Sequence, residues 1–348
     1  MKVIKIQPGG KATVVNAPMP KMDAHCVVVK TAAVALNPVD WKHISCVPGT
    51  AGCTAGSDFA GVVRKVGSGV TTLKVGDRVA GWVHGGNISK PQDGAFAQYI
   101  VAREGMMIKI PPGVSFTAAA TLGVGVSTVG LGLFHQLGLP LPTQPGVGKL
   151  PLLIYGGSTA TGTLAIQLAK LAGLEVITTC SPHHFHMVRK LGADAVFDYK
   201  EPNVGSEIRK LTENALYHAF DCISTEHSAR ICADALSEHT TGKEPTYSAL
   251  LYCEFPRRDV RVVVTVAQTI FGEPFTIPEL GPENFPGDVD HFEFGKRFWK
   301  LTQTLLAEGK LKAHPADVRG GDLEGVLEGL EELRRGKISG KKLVYTLS

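Results

Sequence analysis

The sequence predicts an α/β protein made of a small irregular β-barrel and a doubly wound parallel sheet. Three observations support this fold class. The first 110 residues contain short β-rich runs that Gly and Pro interrupt. From Leu150 onward, apolar runs alternate with amphipathic helical segments, as in a parallel sheet that is covered on both faces. The C-terminal run KKLVYTLS is again strand-like, and we expect it to rejoin the first part.

Length and composition favour two domains. The chain has 348 residues, of which 44% are hydrophobic and 20% charged, which is enough for two hydrophobic cores. The 40 Gly and 21 Pro are scattered, which indicates many tight turns. We place a discontinuous first domain at residues 1–118 and 268–348 and a second domain at residues 119–267.

The charge pattern excludes several function classes. The net charge is +4, without a run of five like charges, so we expect no nucleic-acid partner. The N-terminus lacks the apolar core of a signal peptide, and no 18-residue apolar stretch is free of polar residues. The 7 Cys form no C-x-x-C pair, and we expect them to be reduced thiols. We therefore predict a cytoplasmic protein without a membrane span.

A glycine-rich turn follows the strand PLLIY. It reads GGSTATG at residues 156–162 and precedes the helix TLAIQLAKLAG. Gly157 and Gly162 keep the outer positions of the dinucleotide motif G-x-G-x-x-G, and small residues replace the inner glycine. Phosphates bind at such helix N-termini, where Ser and Thr hydroxyls add donors. A capped helix with no ligand is the alternative.

The end of the next strand predicts which dinucleotide binds. An NAD site places Asp or Glu about 20 residues after the turn, to bind the ribose 2′-hydroxyl. Here the strand ends in TTC and SPHHFH follows, with no carboxylate between Val176 and Met187. Ser181, His183 and His184 are able to donate to a 2′-phosphate instead. We therefore predict NADPH; solvated histidines or a histidine metal site are the alternatives.

Five segments carry a resemblance to a known superfamily. They are ALNPVDWK (35–42), GSDFAGVVRKVGSGV (56–70), VGDRVAG (75–81), GAFAQY (94–99) and LGADAVFDY (191–199). Through them the chain resembles the medium-chain dehydrogenase/reductase superfamily along nearly its whole length. It is most similar to the trans-acting enoyl reductases of fungal polyketide synthases, such as the one used in lovastatin assembly. The segments that carry this similarity are YGGSTATG, TCSPHHF, LGLPLP, FDCIS and TIFGE.

The resemblance implies a fold, a cofactor and a substrate. The fold is a GroES-like β-barrel joined to a Rossmann sheet, and the cofactor is NADPH. The substrate is an enoyl thioester on the acyl carrier domain of a polyketide synthase, and the protein is a monomer. Zinc relatives hold the metal with Cys and a Gly-His-Glu segment, but this chain has Asn37 and Gly56-Ser57-Asp58 there. Residues 83–92 also lack cysteine, so we expect neither zinc site.

The resemblance also suggests site residues. Lys42 orients the ribose or stabilises the enolate, and Thr128 donates from the start of a helix; solvent is an alternative proton source. Tyr199 is expected to end the third strand of the parallel sheet. The predicted cofactor contacts are Val39, Asp40, Trp41, Lys42, Ser158, Thr159, Ala160, Thr161, Gly162, Ser181, Pro182, His183, His184, Tyr199, Leu250, Leu251, Ile338 and Ser339. The predicted substrate contacts are Val129, Gly130, Leu133, Phe134, Thr269, Ile270, Phe271, Gly272 and Glu273.

The helix at residues 123–139 is unusually rich in glycine. Each interior Gly costs about 1 kcal/mol relative to Ala, so something must compensate. Close approach of the acyl chain or nicotinamide is one explanation. Tight packing of the helix against the sheet is the other.

Two classes of function remain open. The first is an enzyme, either the carrier-dependent enoyl reductase or a quinone or enone oxidoreductase that acts on free small molecules. An acidic carrier domain suits Arg257, Arg258, Arg261, Lys296 and Arg297, although these are equally consistent with a solvated surface. The second class is a non-catalytic NADPH-binding scaffold.

Overall fold

A computed structural model describes residues 1–240, 242–278 and 285–348. The chain divides into two compact units. Unit 1 comprises Met1–Ser127 and Gln268–Ser348, and unit 2 comprises Thr128–Ala267. The first border differs from the expected one at residue 118, because it falls within the glycine-rich helical run and not ahead of it.

Unit 1 is built on a seven-stranded sheet. Its strands are β3 (Cys26–Ala35), β4 (Asp58–Val66), β5 (Arg78–Trp82), β6 (Tyr99–Arg103), β7 (Met107–Lys109), β14 (Ala316–Arg319) and β15 (Lys342–Thr346). The order is β14-β15-β3-β4-β5-β7, with β6 also paired to β3. All pairs are antiparallel except β14 with β15. The pairing of β15 with β3 confirms that the C-terminal strand rejoins the first part of the chain.

Register shifts bend this sheet. Between β3 and β4 they occur at Val28/Val29 and at Thr31/Ala33. Each shift adds local twist, which allows a short sheet to curl around a core. That core includes Val27, Val29, Phe59 and Phe96, all fully buried. The predicted irregular β-domain is thus confirmed.

Other elements of unit 1 surround the curled sheet. A separate antiparallel hairpin is formed by β1 (Lys2–Gln7) and β2 (Lys11–Asn16). The helices are α1 (Pro38–Ser45), α2 (Phe116–Ala119), α8 (Val289–Ala307) and α9 (Asp322–Arg334). Leu323, Val326 and Leu330 bury one face of α9 in the core of the unit.

Unit 2 contains a six-stranded parallel sheet. Its strands are β8 (Pro151–Tyr155), β9 (Glu175–Thr179), β10 (Ala195–Phe197), β11 (His218–Asp221), β12 (Thr246–Ala249) and β13 (Arg261–Val264). The order is β10-β9-β8-β11-β12-β13, which is the doubly wound order of dinucleotide-binding sheets. The predicted fold class is therefore confirmed.

The helices of this part of the chain follow the predicted alternation. They are α3 (Gly123–Val129), which the unit border divides, and α4 (Ala160–Leu171), α5 (Phe185–Lys190), α6 (Val204–Leu211) and α7 (Glu226–Ala235). Short 3₁₀ turns cover Pro182–His184 and Ala267–Phe271. Thr225 caps α7 by accepting a hydrogen bond from the backbone N–H of Ser228.

The glycine-rich run continues after α3 as a π-helix over Gly130–Gln136. A Cβ on Gly132 would lie 2.5 Å from Cε2 of Phe220, so no larger residue fits there. At this position, packing against the sheet explains the glycine, as the second sequence explanation proposed. π-Helices are rare and occur frequently at functional sites.

One helical stretch, Phe116–Gln136, is long and apolar enough to cross a membrane by length and composition alone. However, 78% of its apolar window is buried inside the protein. Core helices of soluble proteins pass the same test, so this is weak evidence for a membrane span.

Candidate functional site

The turn between β8 and α4 requires its glycines. A Cβ on Gly157 would lie 2.1 Å from Oγ1 of Thr178, and a Cβ on Gly162 would lie 2.3 Å from the carbonyl oxygen of Gly156. Gly156 itself has φ of 83°, a conformation that other residues rarely adopt. The backbone therefore forms a cradle that side chains do not fill.

The hydroxyl groups of this turn divide into two kinds. Thr159 Oγ1 donates to the carbonyl oxygen of Gly156 at 2.8 Å and accepts from the N–H of Gly162 at 2.9 Å, so it caps α4. Ser158 and Thr161 are half-buried, and their hydroxyls make no hydrogen bond with the described residues. Together with the unpaired N–H groups of the first helical turn, beside Ala160, they offer donors to an anion.

The turn lies where the strand order reverses. β8 and β11 are neighbours at the centre of the sheet, but the chain leaves β8 toward β9 on the opposite side. A Cβ on Gly156 would lie 2.9 Å from Cγ1 of Ile223, which follows β11. Dinucleotides bind at such a switch point, outside the carboxyl ends of the strands.

The segment after β9 carries the predicted 2′-phosphate contacts. Ser181 precedes the 3₁₀ turn that begins at Pro182, and its hydroxyl makes no hydrogen bond with the described residues. The rings of His183 and His184 lie 4.1 Å apart, and burial together with His183 lowers the pKa of His184. His183 is exposed. Hydroxyl and imidazole donors therefore follow this strand.

Charges of both signs lie close to this segment. Burial and Asp198 raise the pKa of the Cys180 thiol to about 11, so a carboxylate is near the end of β9. Arg189 and Lys190 are exposed at the end of α5. Sequence reasoning missed Asp198, because it follows β10 and only the parallel pairing of β9 with β10 brings it close.

The other predicted cofactor residues of unit 2 lie near strand ends. The expectation that Tyr199 ends the third strand is wrong. Tyr199 follows β10, because β10 pairs with β9 only as far as Phe197. Its ring is 6.2 Å from that of Tyr155, in an edge-on arrangement. Leu250 directly follows β12 and donates its N–H to Ser224 Oγ at 2.8 Å, and Leu251 is 43% exposed.

The residues around Thr128 are all buried. Thr128 is 4% exposed and lies near the end of α3, so its expected position at the start of a helix is wrong. The helix begins at Gly123 because Asp58 Oδ1 accepts a hydrogen bond from the N–H of Val124. The predicted substrate residues Val129, Gly130, Leu133 and Phe134 occupy the last position of α3 and the π-helix.

In unit 1, helix α1 carries four predicted residues: Val39, Asp40, Trp41 and Lys42. Asp40 is 2% exposed; its Oδ2 accepts from the N–H of Asn37 and its Oδ1 from Ser57 Oγ, both at 2.7 Å. Burial raises the pKa of Asp40 to about 7. Asn37 Nδ2 is buried without a hydrogen-bond partner in the described residues.

Lys42 lies in the last turn of this helix. It is half-buried, and burial lowers its pKa. Its Nζ makes no hydrogen bond or ion pair with the described residues and lies 5.8 Å from the ring centroid of Trp41. An unpaired ammonium with a lowered pKa is available to a substrate or cofactor oxygen.

The segment Thr269–Glu273 has its own internal contacts. Thr269 Oγ1 and His291 Nδ1 are 2.6 Å apart, and Ile270 is fully buried. Phe271 packs against Trp82, with ring centroids 4.8 Å apart. Gly272 has φ of 67°, and a Cβ there would lie 2.7 Å from the Cβ of Phe292.

Two histidines lie between the segment Thr269–Glu273 and helix α1. His43 of α1 lies 6.2 Å from His84, whose ring stacks on that of Phe271 at 5.9 Å. Ile338 and Trp41 both pack against the core of unit 1, whereas Ser339 is exposed. Sequence reasoning missed His43 and His84, because no local signal marks a contact between distant segments.

The donor set does not fit the zinc sites of related folds. Asp58 is fully buried and pairs with Lys342, with Oδ2 and Nζ 2.5 Å apart. Asn37 and Ser57 occupy the other positions and offer no thiolate or imidazole. Among the described residues, no three His, Cys, Asp or Glu side chains form a metal-binding group. The absence of zinc stays a prediction.

The glycine turn, in contrast, fits a dinucleotide. It combines a cradle without side chains, an open helix N-terminus and the two hydroxyls of Ser158 and Thr161. These are donors for pyrophosphate oxygens.

Comparison with known proteins gives consistent results for sequence and structure. Residues 23–112 match the alcohol dehydrogenase GroES-like domain, and residues 160–242 match the zinc-binding dehydrogenase family. The trans-enoyl reductase resD of Aspergillus sclerotiorum is 45% identical to this chain, with 99% of each chain covered.

Solved structures show the same fold at lower identity. The structure of CurK enoyl reductase has a TM-score of 0.77 and 19% identity, and covers 100% of this chain and 99% of that chain. The quinone oxidoreductase from Coxiella burnetii has a TM-score of 0.73 and 22% identity, with the same coverage. Because one fold serves both activities, these structures do not distinguish between them.

Proposed function

We infer the function from one premise: the chain belongs to the trans-enoyl reductase family, within the medium-chain dehydrogenase/reductase superfamily. Such an oxidoreductase uses a nicotinamide cofactor. We propose that this chain uses NADPH to reduce the α,β-double bond of acyl thioesters that a polyketide synthase carries. The observation that supports this chemistry most directly is the half-buried ammonium of Lys42, which pairs with none of the residues that the structure describes.

The choice of NADPH over NADH rests on the segment after β9. A carboxylate that binds the ribose 2′-hydroxyl would repel a 2′-phosphate, and none lies between Val176 and Met187. The Ser181 hydroxyl and the His183 ring have no hydrogen-bond partner in the described residues. In our proposal they bind the 2′-phosphate, and the basic end of α5 outweighs the nearby Asp198.

The reaction requires charge stabilisation at the thioester oxygen. When bound, the reduced nicotinamide supplies the hydride for the β-carbon. Negative charge then develops on the thioester oxygen, and a fixed donor at that position lowers the barrier. Lys42 supplies this donor in our proposal. Because burial lowers its pKa, Lys42 is also a stronger acid than a solvated lysine, which suits delivery of a proton to the α-carbon.

Two of the five basic residues suggested for binding an acidic carrier domain already pair with other side chains of this protein. Arg257 pairs with Asp259 and donates to the carbonyl groups of Ala233, Leu236 and Ser237, so its role is internal. Lys296 pairs with Glu293. Three residues, Arg258, Arg261 and Arg297, are exposed, and we assign carrier binding to these.

The experiment is a substrate comparison with the full-length protein. NADPH consumption is measured with crotonyl pantetheine and with a simple quinone. We expect turnover of the thioester and little of the quinone. Faster quinone turnover would favour the free-molecule oxidoreductase, and binding of NADPH without turnover would favour a scaffold.

The cofactor assignment has a separate test. Ser181→Asp places a carboxylate after β9 and is expected to weaken NADPH binding by at least about tenfold while NADH binding is retained. Ser206→Asp, on the exposed surface of α6, serves as the matched control. Equal loss for both cofactors would show that Ser181 does not face the 2′-phosphate.

A further inference from the structure

Unit 1 contains a cavity of about 50 Å³ that the catalytic proposal does not use. Phe271 and Phe275 form part of its wall, and Cys26 also lines it. His84, Asn87, Asp93 and Gln92 contribute polar groups to the lining, which also contains the charged residues Asp23, Lys90, Arg103 and Glu273. A cavity of about 10–15 Å³ already holds one water molecule, so this cavity has room for a small polar group.

His84 is a buried polar side chain to which the described residues offer no hydrogen-bond partner. It is 8% exposed, stacks on Phe271 and meets Phe275 edge-on at 5.3 Å. Neither ring nitrogen bonds to the described residues. Burial and the neighbouring His43 lower the pKa of His84 to about 3, so the ring is neutral. It offers one N–H donor and one acceptor to the cavity.

The two cations that line the cavity are already paired with a carboxylate. Lys90 and Arg103 both pair with Glu273, at 2.7 and 3.1 Å, so neither cation is free for an anionic ligand. Two further carboxylates line the cavity, but Asp23 is exposed to solvent, and burial raises the pKa of Asp93 to about 7, which disfavours its charged form. The geometry therefore points to an uncharged ligand group.

The remaining hydrogen-bonding groups favour a hydroxyl. Asp93 is half-buried and makes no side-chain hydrogen bond with the described residues. Asn87 Oδ1 accepts from the N–H of Ser89, which leaves its amide N–H groups as donors. A hydroxyl both donates and accepts, so it can pair with Asp93 in either protonation state, whereas a carbonyl oxygen can pair only with the protonated form.

We propose that this cavity is a subsite for a hydroxyl group on the acyl chain of the substrate, bound by His84 and Asp93. The inference rests on the proposed function, because Phe271 and Glu273 belong both to the cavity wall and to the predicted substrate segment. The subsite would make the enzyme prefer chains that carry a hydroxyl at a distance from the thioester.

The test measures equilibrium binding, which does not require turnover. The probes are octanoyl pantetheine and its δ-hydroxy and ζ-hydroxy derivatives, titrated calorimetrically into the full-length protein with NADPH present. One hydroxylated probe is expected to bind about tenfold more tightly than octanoyl pantetheine. His84→Phe is expected to reduce this ratio to about one, and Asp93→Ala gives an independent second variant.

His218→Phe is the matched control, because His218 Nδ1 is also buried without a partner in the described residues and lies in unit 2. It is expected to keep the full ratio. Equal affinities of the three probes for the unmodified protein, or an undiminished ratio in His84→Phe and Asp93→Ala, would overturn the subsite. Reduction of unsubstituted octenoyl pantetheine is measured in parallel, so failure of the proposed reductase activity is recognised separately.

Discussion

The helix that carries Lys42 and the helix that carries Thr128 are each anchored by a buried carboxylate, but in different ways. Asp58 accepts from the N–H of Val124 at the start of α3 and forms an ion pair with Lys342. Asp40 accepts from Asn37 and from Ser57, both uncharged donors, and forms no ion pair within the part of the chain that the structure describes. Both carboxylates are at most 2% exposed.

Because the two carboxylates have different partners, the two helices should respond differently to mutation and to pH. An ion pair that is removed from solvent depends on both partners, because either charge alone is costly to bury. A carboxylate without a counter-ion can instead take up a proton, and burial has raised the pKa of Asp40 to about 7. The α3 anchor should therefore be sensitive to mutation, and the α1 anchor to pH.

Removing the cation that pairs with Asp58 at the start of α3 should lower the stability of the protein more than any other change considered below. Lys342→Met leaves Asp58 buried without its counter-ion, and we expect a loss of about 3–5 kcal/mol in the free energy of unfolding. Urea denaturation measures this. The double variant Asp58→Leu with Lys342→Met should lose less stability than the single variant, because it leaves no uncompensated buried charge. A single variant within about 1 kcal/mol of the unmodified protein would show that the pair is not an anchor.

Adding a methyl group that clashes with the Asp58 carboxylate should lower the stability of the protein by a smaller amount. A Cβ on Gly123 would lie 2.1 Å from Asp58 Oδ1, which Val124 and Lys342 hold in place. We expect Gly123→Ala to lose about 1–3 kcal/mol of stability in urea denaturation. The control is Gly320→Ala, where no atom lies within 4 Å. Equal stability of the two variants would mean that Asp58 is free to move.

The anchor of α1 should make stability depend on pH. The folded protein keeps a proton on Asp40 up to about pH 7, whereas the unfolded chain releases it near pH 4. This contribution to stability is therefore complete below about pH 4 and is lost as the pH rises toward 7. Relative to Asp40→Asn, the unmodified protein should lose about 1.4 kcal/mol between pH 5 and 6. A pH-independent difference in urea denaturation between the two proteins would contradict the raised pKa.

The sequence allowed the parallel sheet and the glycine turn to be predicted, because both follow local rules. Alternating strands and helices imply crossovers of one hand, and a turn before a helix places donors at the helix start. The site assignments came from family resemblance. The π-helix after α3 escaped prediction, since a glycine-rich buried segment has the same composition in α and π forms.

Contacts between distant segments could not be predicted either. Asp58 and Lys342 meet because β15 pairs with β3, and His84 meets Phe271 only after the chain has passed through unit 2. Neither pair leaves a periodic pattern in the sequence. Thr128 was misplaced for a related reason: the hydrogen bond from Val124 to Asp58 sets the start of α3, and no local capping residue indicates it.

The most direct test of the account is the turnover number of Lys42→Met with an enoyl thioester at saturating NADPH. Methionine keeps the apolar stem but removes the unpaired ammonium, so folding should be preserved while the developing charge loses its donor. We expect kcat to fall by about 100-fold or more, with the free energy of unfolding changed by less than about 0.5 kcal/mol. A turnover number within about twofold of the unmodified protein would contradict the role assigned to Lys42.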